Sequence, residues 1–208
     1  MLTGRAMEFC RFPVLSRLLD VGCGEGATVE YLRNHYQLNA CGLDISSRLL
    51  GEGKSREPAL PLLRASAEHL PLADGSLDGV LCECVFSLLS EPEKALREFR
   101  RVLAQDGKLI LSDIYLRGEG NENAFREKAV DECLKGARHA CSTEKMLRGA
   151  GFEILLWEDH TPLLKELAAR LVLANGSADA LWGCSGKGFS TMAPLRPGYY
   201  LLVARKVS

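Results

Sequence analysis

The chain has 208 residues, of which 47% are apolar and 25% charged, and its formal net charge is −1. That balance belongs to a globular protein rather than a disordered one. It leaves no basic excess for nucleic acid and no apolar stretch near the roughly 20 residues that span a bilayer. Met1 to Pro13 mixes Arg5, Glu8 and Arg11 into its apolar residues, so no signal peptide is read there and a cytoplasmic location is expected.

In chain order, Phe9 to Arg17 predicts a short entry helix. The apolar run from Leu18 predicts a buried strand that ends at Asp20-Val21, before Gly22, Gly24 and Gly26. Ala27 to His35 follows as a helix, and Asn39 to Leu43 as a second strand closed by Asp44. Ser46 is placed as the cap of a short helix over Ser47 to Gly51, with Gly51 to Pro58 as loop. Leu60 to Arg64 and Leu77 to Glu83 predict strands three and four, with the turn-rich Ala67 to Ser76 between them. Ser90 and Glu93 are spaced as a capping box for a helix carrying Ala95, Leu96, Phe99, Val102 and Leu103 on one face. Asp106-Gly107 ends that helix, and Lys108 to Asp113 is the fifth strand.

Arg117 to Asp131 predicts a loop with a helix from about Asn123. Ser142 caps a helix ending at Gly151, and Phe152 to Trp157 is a sixth strand. Thr161-Pro162 opens a helix with Leu163, Leu164, Leu167, Ala168, Leu171 and Val172 on one face, ending near Asn175-Gly176. Tyr199 to Ala204 is the last strand. Alternating strands and helices predict an α/β fold, a mostly parallel sheet with helices on both faces. No linker or repeat interrupts it, so one domain over 1–208 is expected.

Ligands of such sheets sit beyond the carboxyl ends of the strands, and the informative residues lie there. A glycine-rich turn between a strand and a helix lets backbone approach a nucleotide-like ligand, and it aims helix N–H groups at that ligand. Asp44, 24 residues after Asp20, is placed to accept both hydroxyls of a ribose. Ala67-Glu68 follows strand three, and Glu83-Cys84 closes strand four. A nicotinamide fingerprint is disfavoured, because G-x-G-x-x-G would need its third glycine one residue beyond Gly26.

Asp20-Val21-Gly22-Cys23-Gly24-Glu25-Gly26 resembles the first motif of class I S-adenosylmethionine-dependent methyltransferases, and Leu43-Asp44-Ile45-Ser46 resembles their second. Ala67 to Pro71, Asp74 to Val80, and Leu96 to Leu103 with Gly107-Lys108-Leu109 are similar to the ubiquinone/menaquinone C-methyltransferase-like branch. The resemblance implies a Rossmann-like seven-stranded sheet: five parallel strands, then an antiparallel pair from strands six and seven. It implies a cofactor core at about 14–115 and substrate or lid elements at about 115–198. It also implies that Asp20, Gly22, Cys23, Gly24 and Gly26 hold the methionine moiety of S-adenosyl-L-methionine. Asp44 would hold the ribose, Ile45 one adenine face, and Ala67 and Glu68 the adenine edge. Relatives often carry Asp where this chain has Ser66. Glu83 and Cys84 would line the methionine end and the methyl pocket, whose product is S-adenosyl-L-homocysteine.

The eight cysteines include no CxxC pair, so reduced thiols are expected and no metal site. Cys82 and Cys84, two apart in a strand, are expected to face the same way. Glu132 to Ala137, containing Cys133, resembles arsenite methyltransferases, where a cysteine at this place binds the metalloid. Those enzymes carry a further cysteine where this chain has Thr28-Val29-Glu30. Cys84, Cys133, His139 and Trp182 are thus the substrate-side candidates, and Trp182 offers an aromatic face in a long insertion. The expected activity is methyl transfer to a small-molecule acceptor, by a monomer or homodimer without nucleic-acid or membrane partners. The alternatives are a metalloid methyltransferase and a protein that binds the cofactor without catalysis.

Overall fold

The computed structural model describes residues 2–118, 122, 135–175 and 197–207. The described elements are α1 (Leu2–Cys10), β1 (Arg17–Val21), α2 (Ala27–Tyr36), β2 (Asn39–Asp44), α3 (Ser47–Arg56), β3 (Leu62–Arg64) and β4 (Leu77–Glu83). After a 3₁₀ turn at Phe86–Leu88 come α4 (Pro92–Val102), β5 (Leu103–Leu116), α5 (Ala140–Gly149), β6 (Phe152–Asp159), α6 (Thr161–Asn175) and β7 (Pro197–Lys206). The helix expected near Asn123 lies outside the described residues. So do the side chains of Leu167, Ala168, Leu171 and Val172 on α6.

The seven strands form one sheet in the order β3-β2-β1-β4-β5-β7-β6. Strands β1 to β5 pair in parallel, and β7 runs antiparallel to both β5 and β6. The order reverses between β2-β1 and β4-β5, which sets the switch point over the carboxyl end of β1. One face carries Leu19, Val80, Cys82, Leu109 and Tyr200 under Leu96 and Phe99 of α4. The other carries Leu18, Leu81, Ile110, Leu201 and Val203 under Ala6, Met7 and Cys10 of α1 and Val29 and Leu32 of α2. Alternation along each buried strand assigns these residues to the two layers.

Several local expectations change. The entry helix is Leu2–Cys10 rather than Phe9–Arg17, and the chain then turns through Pro13, with Arg11 and Leu15 left-handed at φ 49° and 65°. Proline cannot continue a helix and disfavours helical backbone in the residue before it. Helix α3 continues past Gly51 to Arg56, with the Ser46 hydroxyl accepting from Leu49 N at 3.3 Å. Gly53 is helical because α3 packs on the glycine-rich turn, where a Cβ at that position would stand 2.4 Å from the Glu25 carbonyl oxygen. Close packing here overrides the low helix propensity of glycine.

Ser90 does not cap α4. Glu91 holds the cap position without a side-chain bond, and the Ser90 hydroxyl lies 3.4 Å from Glu68 Oε1. Ser142 likewise sits inside α5, with His139 at the cap position. The third and sixth strands are trimmed or extended by only two residues relative to expectation, at Leu62–Arg64 and Phe152–Asp159. The fifth begins at Leu103, directly after α4 ends at Val102, so Leu103 is a strand residue and Asp106-Gly107 lies within the strand rather than ending the helix before Lys108.

Candidate functional site

Register brings three carboxylates to one place. Asp20 pairs with Gly42 on β2 and with Leu81 on β4. Paired residues share a face, and so do residues two apart in a strand. Asp20, Asp44 and Glu83 therefore all lie on the face covered by α1 and α2, at the carboxyl ends of three adjacent strands.

The glycine-rich turn is held from β2. Gly22 N and Cys23 N donate to the Leu43 carbonyl at 2.7 and 3.0 Å. Asp44 accepts from Gly24 N at 2.9 Å through Oδ2 and from Ser46 N at 2.8 Å through Oδ1. One side chain thus ties the turn to the start of α3. Gly22, Gly24 and Gly26 all have positive φ, at 74°, 54° and 78°, a region L-residues enter at a cost. A Cβ on Gly22 would stand 2.2 Å from Val85 Cγ2, whereas a Cβ on Gly24 would meet nothing within 4 Å. The first glycine serves packing, and the second faces open space. Cys23 tucks beneath Gly42, and burial raises its thiol to about 12, so it stays neutral.

Asp20 is only 3% exposed and accepts no hydrogen bond among the described residues. Burial, then the nearby Glu83 and Asp44, push its carboxyl up to about 8. Glu83 is also raised, first by burial, while hydroxyl bonds oppose the shift. Thr3 donates to Glu83 Oε1 at 3.0 Å and lies 3.2 Å from Oε2; Thr28 donates to Oε2 at 3.3 Å. No lysine or arginine stands against either carboxyl among the described residues. Two poorly compensated acids in one low-dielectric recess favour either a proton or an incoming cation.

The adenine-side candidates differ in exposure. Ile45 presents its side chain at 70% exposure beside Asp44, while Ala67 is buried. Burial opposes ionisation of Glu68, but bonds from the Ser66 hydroxyl, from backbone N–H groups and from Ser90 outweigh it and lower its pKa. The Ser66 hydroxyl donates to Glu68 Oε2, and Glu68 N donates back to Ser66 at 3.2 Å.

Cys82 and Cys84 do not face the same way. Cys82 is fully buried in the layer with Tyr200. Cys84 lies past the end of β4 in left-handed backbone at φ 57°, which breaks the alternation. Its Sγ is 2.7 Å from the hydroxyl of Tyr199, on the Glu83 side of the sheet. Cys84 is exposed to solvent, and partial burial raises its thiol to about 11 against the bond from Tyr199. His139 begins α5, and its Nδ1 lies 3.2 Å from the Leu116 carbonyl oxygen, a placement that anchors α5 to the end of β5. Cys133 and Trp182 lie outside the described residues. Among the described residues no group of three His, Cys, Asp or Glu could hold a metal ion, and no helix is long and apolar enough to cross a membrane.

Four side chains at the site were not anticipated. Thr3 and Thr28 hold Glu83, and Tyr199 meets Cys84. Asp113 accepts from Ser87 N at 2.7 Å, Ser87 Oγ at 2.9 Å and Ile114 N at 2.7 Å, fixing the turn after β4. Burial raises Asp113 to about 6 against those bonds. Thr28, two residues after Gly26, was findable as a hydroxyl in the first turn of α2. Thr3 and Tyr199 come from distant segments with no local signal.

The family model described as a methyltransferase domain matches residues 19–111. The chain is 33% identical over 110 residues to the ubiquinone/menaquinone biosynthesis C-methyltransferase UbiE of Campylobacter jejuni, covering 50% of this chain and 47% of that protein. It is 36% identical over 97 residues to the demethylmenaquinone methyltransferase of Renibacterium salmoninarum, covering 47% and 40%. The chain thus spans about half or less of the length of these relatives. Among solved structures, the [4+2]-cyclase SpnF is similar with a TM-score of 0.75 at 27% identity, over 99% of this chain and 80% of that one. Phosphoethanolamine N-methyltransferase 2 of Haemonchus contortus, in complex with S-adenosyl-L-methionine, shares the fold with a TM-score of 0.75 at 17% identity, over 98% and 51%. Residues 19–111 thus match a methyltransferase domain, and the seven-stranded sheet has the fold of the S-adenosylmethionine-dependent methyltransferase structures it resembles.

Proposed function

We propose that this chain transfers a methyl group from S-adenosyl-L-methionine to a small-molecule acceptor. The observation that carries the reading is Asp20: a buried carboxyl that accepts no hydrogen bond among the described residues, at the switch point, beside two further acids. A cofactor bearing an ammonium and a sulfonium supplies the positive charge such a recess lacks. The open space off Gly24 and the bare Ile45 face suit its sugar and its flat base.

On this reading, Asp20 and the Gly22–Gly26 turn bind the amino-acid end. Asp44 keeps one lone pair on each oxygen free of its backbone bonds and takes the ribose hydroxyls. Ile45 packs on the adenine, with Ala67 and Glu68 at its edge. When bound, the cofactor supplies an activated methyl on a sulfonium, and its displacement needs alignment more than acid–base help. The chain's part is to orient the donor and to keep water from it. Cys84 and Tyr199 stand beside Glu83, where an acceptor would approach, and region 115–198 carries acceptor selection. Relatives in this family act on quinone precursors, an amino acid derivative and an acyl carrier-bound malonyl group by name, so a panel of such acceptors is the starting set.

Incubation with methyl-labelled cofactor and this panel should give label in at least one small-molecule product. Tight binding of the cofactor with no transfer across a broad panel would instead favour a binding protein. Absence of both binding and transfer would overturn the reading.

A further inference from the structure

Asp20 and Glu83 are an unusual pair for a site that does no more than grip an amino acid. They lie on the same face at the ends of adjacent strands, near enough for Glu83 to raise Asp20, and neither meets a cation among the described residues. Asp20 accepts no hydrogen bond among the described residues, whereas Glu83 is held in a fixed orientation by hydroxyls from two different helices. Side chains so placed keep a charge where it is needed rather than where solvent would take it.

Among the described residues, every group that acts on their titration is acidic or neutral. On their face stand Asp44 from β2, Cys23 from the turn, and Thr3 and Thr28 from α1 and α2, while Cys41 and Cys82 lie behind them on the opposite face of the sheet. The three thiols are raised by burial and remain uncharged near neutrality. The net field in the recess is negative, and it is not screened by bulk water.

The methyl donor and its product differ there in one respect. Both carry an ammonium; only the donor carries a permanent positive charge on sulfur. We propose that Glu83 is the residue by which the site distinguishes the charged donor from the neutral-sulfur product, with the Asp20–Glu83 recess exchanging a bound proton for the cofactor's charge. The inference rests on the cofactor reading above and extends it to product release: methyl transfer removes the positive charge Glu83 attracts, so the product leaves from a site that has turned against it.

The sign of the linkage follows from Asp20. Its carboxyl, raised to about 8, keeps its proton in the free protein at neutral pH. Entry of positive charge favours the carboxylate and expels that proton. Donor affinity should therefore tighten as pH rises from 6 to 7.5, by up to about tenfold per pH unit. That window stays below the range of roughly 7.7–8.0 in which an α-amino group itself titrates.

Titration calorimetry of the whole chain with S-adenosyl-L-methionine and S-adenosyl-L-homocysteine, in buffers of different ionisation enthalpy, tests this. The expected result is net proton release on binding, larger for the donor than for the product. Glu83→Gln keeps an acceptor for the threonine hydroxyls, and it should lower the donor-to-product affinity ratio roughly tenfold. Glu83→Asp, which keeps the charge, should restore most of that ratio. If Glu83→Gln weakens both ligands equally, or if binding is independent of buffer and pH, Glu83 only packs the recess and the inference is wrong. If the wild-type chain binds neither ligand, the cofactor reading itself falls, and the inference with it.

Discussion

Asp44→Ala is expected to weaken binding of S-adenosyl-L-methionine about 100-fold, because the substitution removes two functions at once. The carboxylate would bond neighbouring ribose hydroxyls, and hydrogen bonds to a charged group contribute about 1.5–3 kcal/mol each. It also fixes the glycine-rich turn by accepting Gly24 N and Ser46 N. Both N–H groups lose their partner in the variant. Those donors sit near the cleft mouth, where water can replace the carboxylate, so the thermal midpoint should fall by only a few degrees. Calorimetric titration separates the two effects. Affinity equal to that of the wild type would remove Asp44 from the site.

Gly22→Ala should act on the fold first. The φ of 74° costs a non-glycine residue about 1–2 kcal/mol. The new methyl would also stand 2.2 Å from Val85 Cγ2, and Val85, branched at Cβ, has little rotamer freedom to give way. Overpacking of this kind costs about 1–3 kcal/mol. The expected sum is about 3 kcal/mol, or roughly a 10 °C drop in thermal midpoint for a chain of this size. Gly24→Ala is the control. Its Cβ meets nothing within 4 Å among the described residues, so only backbone strain destabilises it, yet the methyl projects into the open space where the donor would lie. The two variants should therefore separate: Gly22→Ala loses stability, and Gly24→Ala loses cofactor binding with most of its stability intact. Similar melting losses in both would show that the two glycines do the same job.

The parts of the site legible in the sequence are those with a local physical requirement. The turn's left-handed backbone calls for Gly22, Gly24 and Gly26, and acids at strand ends occupy readable positions, as Asp20, Asp44 and Glu83 do. The alternating strands and helices likewise gave the sheet, since a parallel sheet needs a crossover between neighbouring strands. What escaped depended on distant segments. Gly53 reads as a helix breaker until α3 is seen packed on the Glu25 carbonyl. Ser90 and Glu93 have capping-box spacing, but the Ser90 hydroxyl turns to Glu68 across the sheet edge. Cys84 follows strand spacing in sequence and leaves it in space through one left-handed residue. Thr3 reaches Glu83 from 80 residues away, and nothing within Leu2–Cys10 marks it for that contact.

The cover of the recess is also clearer in three dimensions. Helix α1 lies on the sheet through Ala6, Met7 and Cys10. Arg5 pairs with Glu158 on β6 at 2.6 Å, and Lys108 Nζ donates to the Cys10 carbonyl at 3.0 Å. The short segment before β1 thus places one wall of the recess, and Thr3 is its point of contact.

The most direct test of the proposed donor site is a crystal structure of the chain with S-adenosyl-L-homocysteine. The expected complex has the ribose hydroxyls on Asp44, the ammonium against Asp20, the adenine over Ile45, and the sulfur directed toward Glu83 and Cys84. A ligand bound elsewhere, or a ribose beyond hydrogen-bond distance of Asp44, would contradict it.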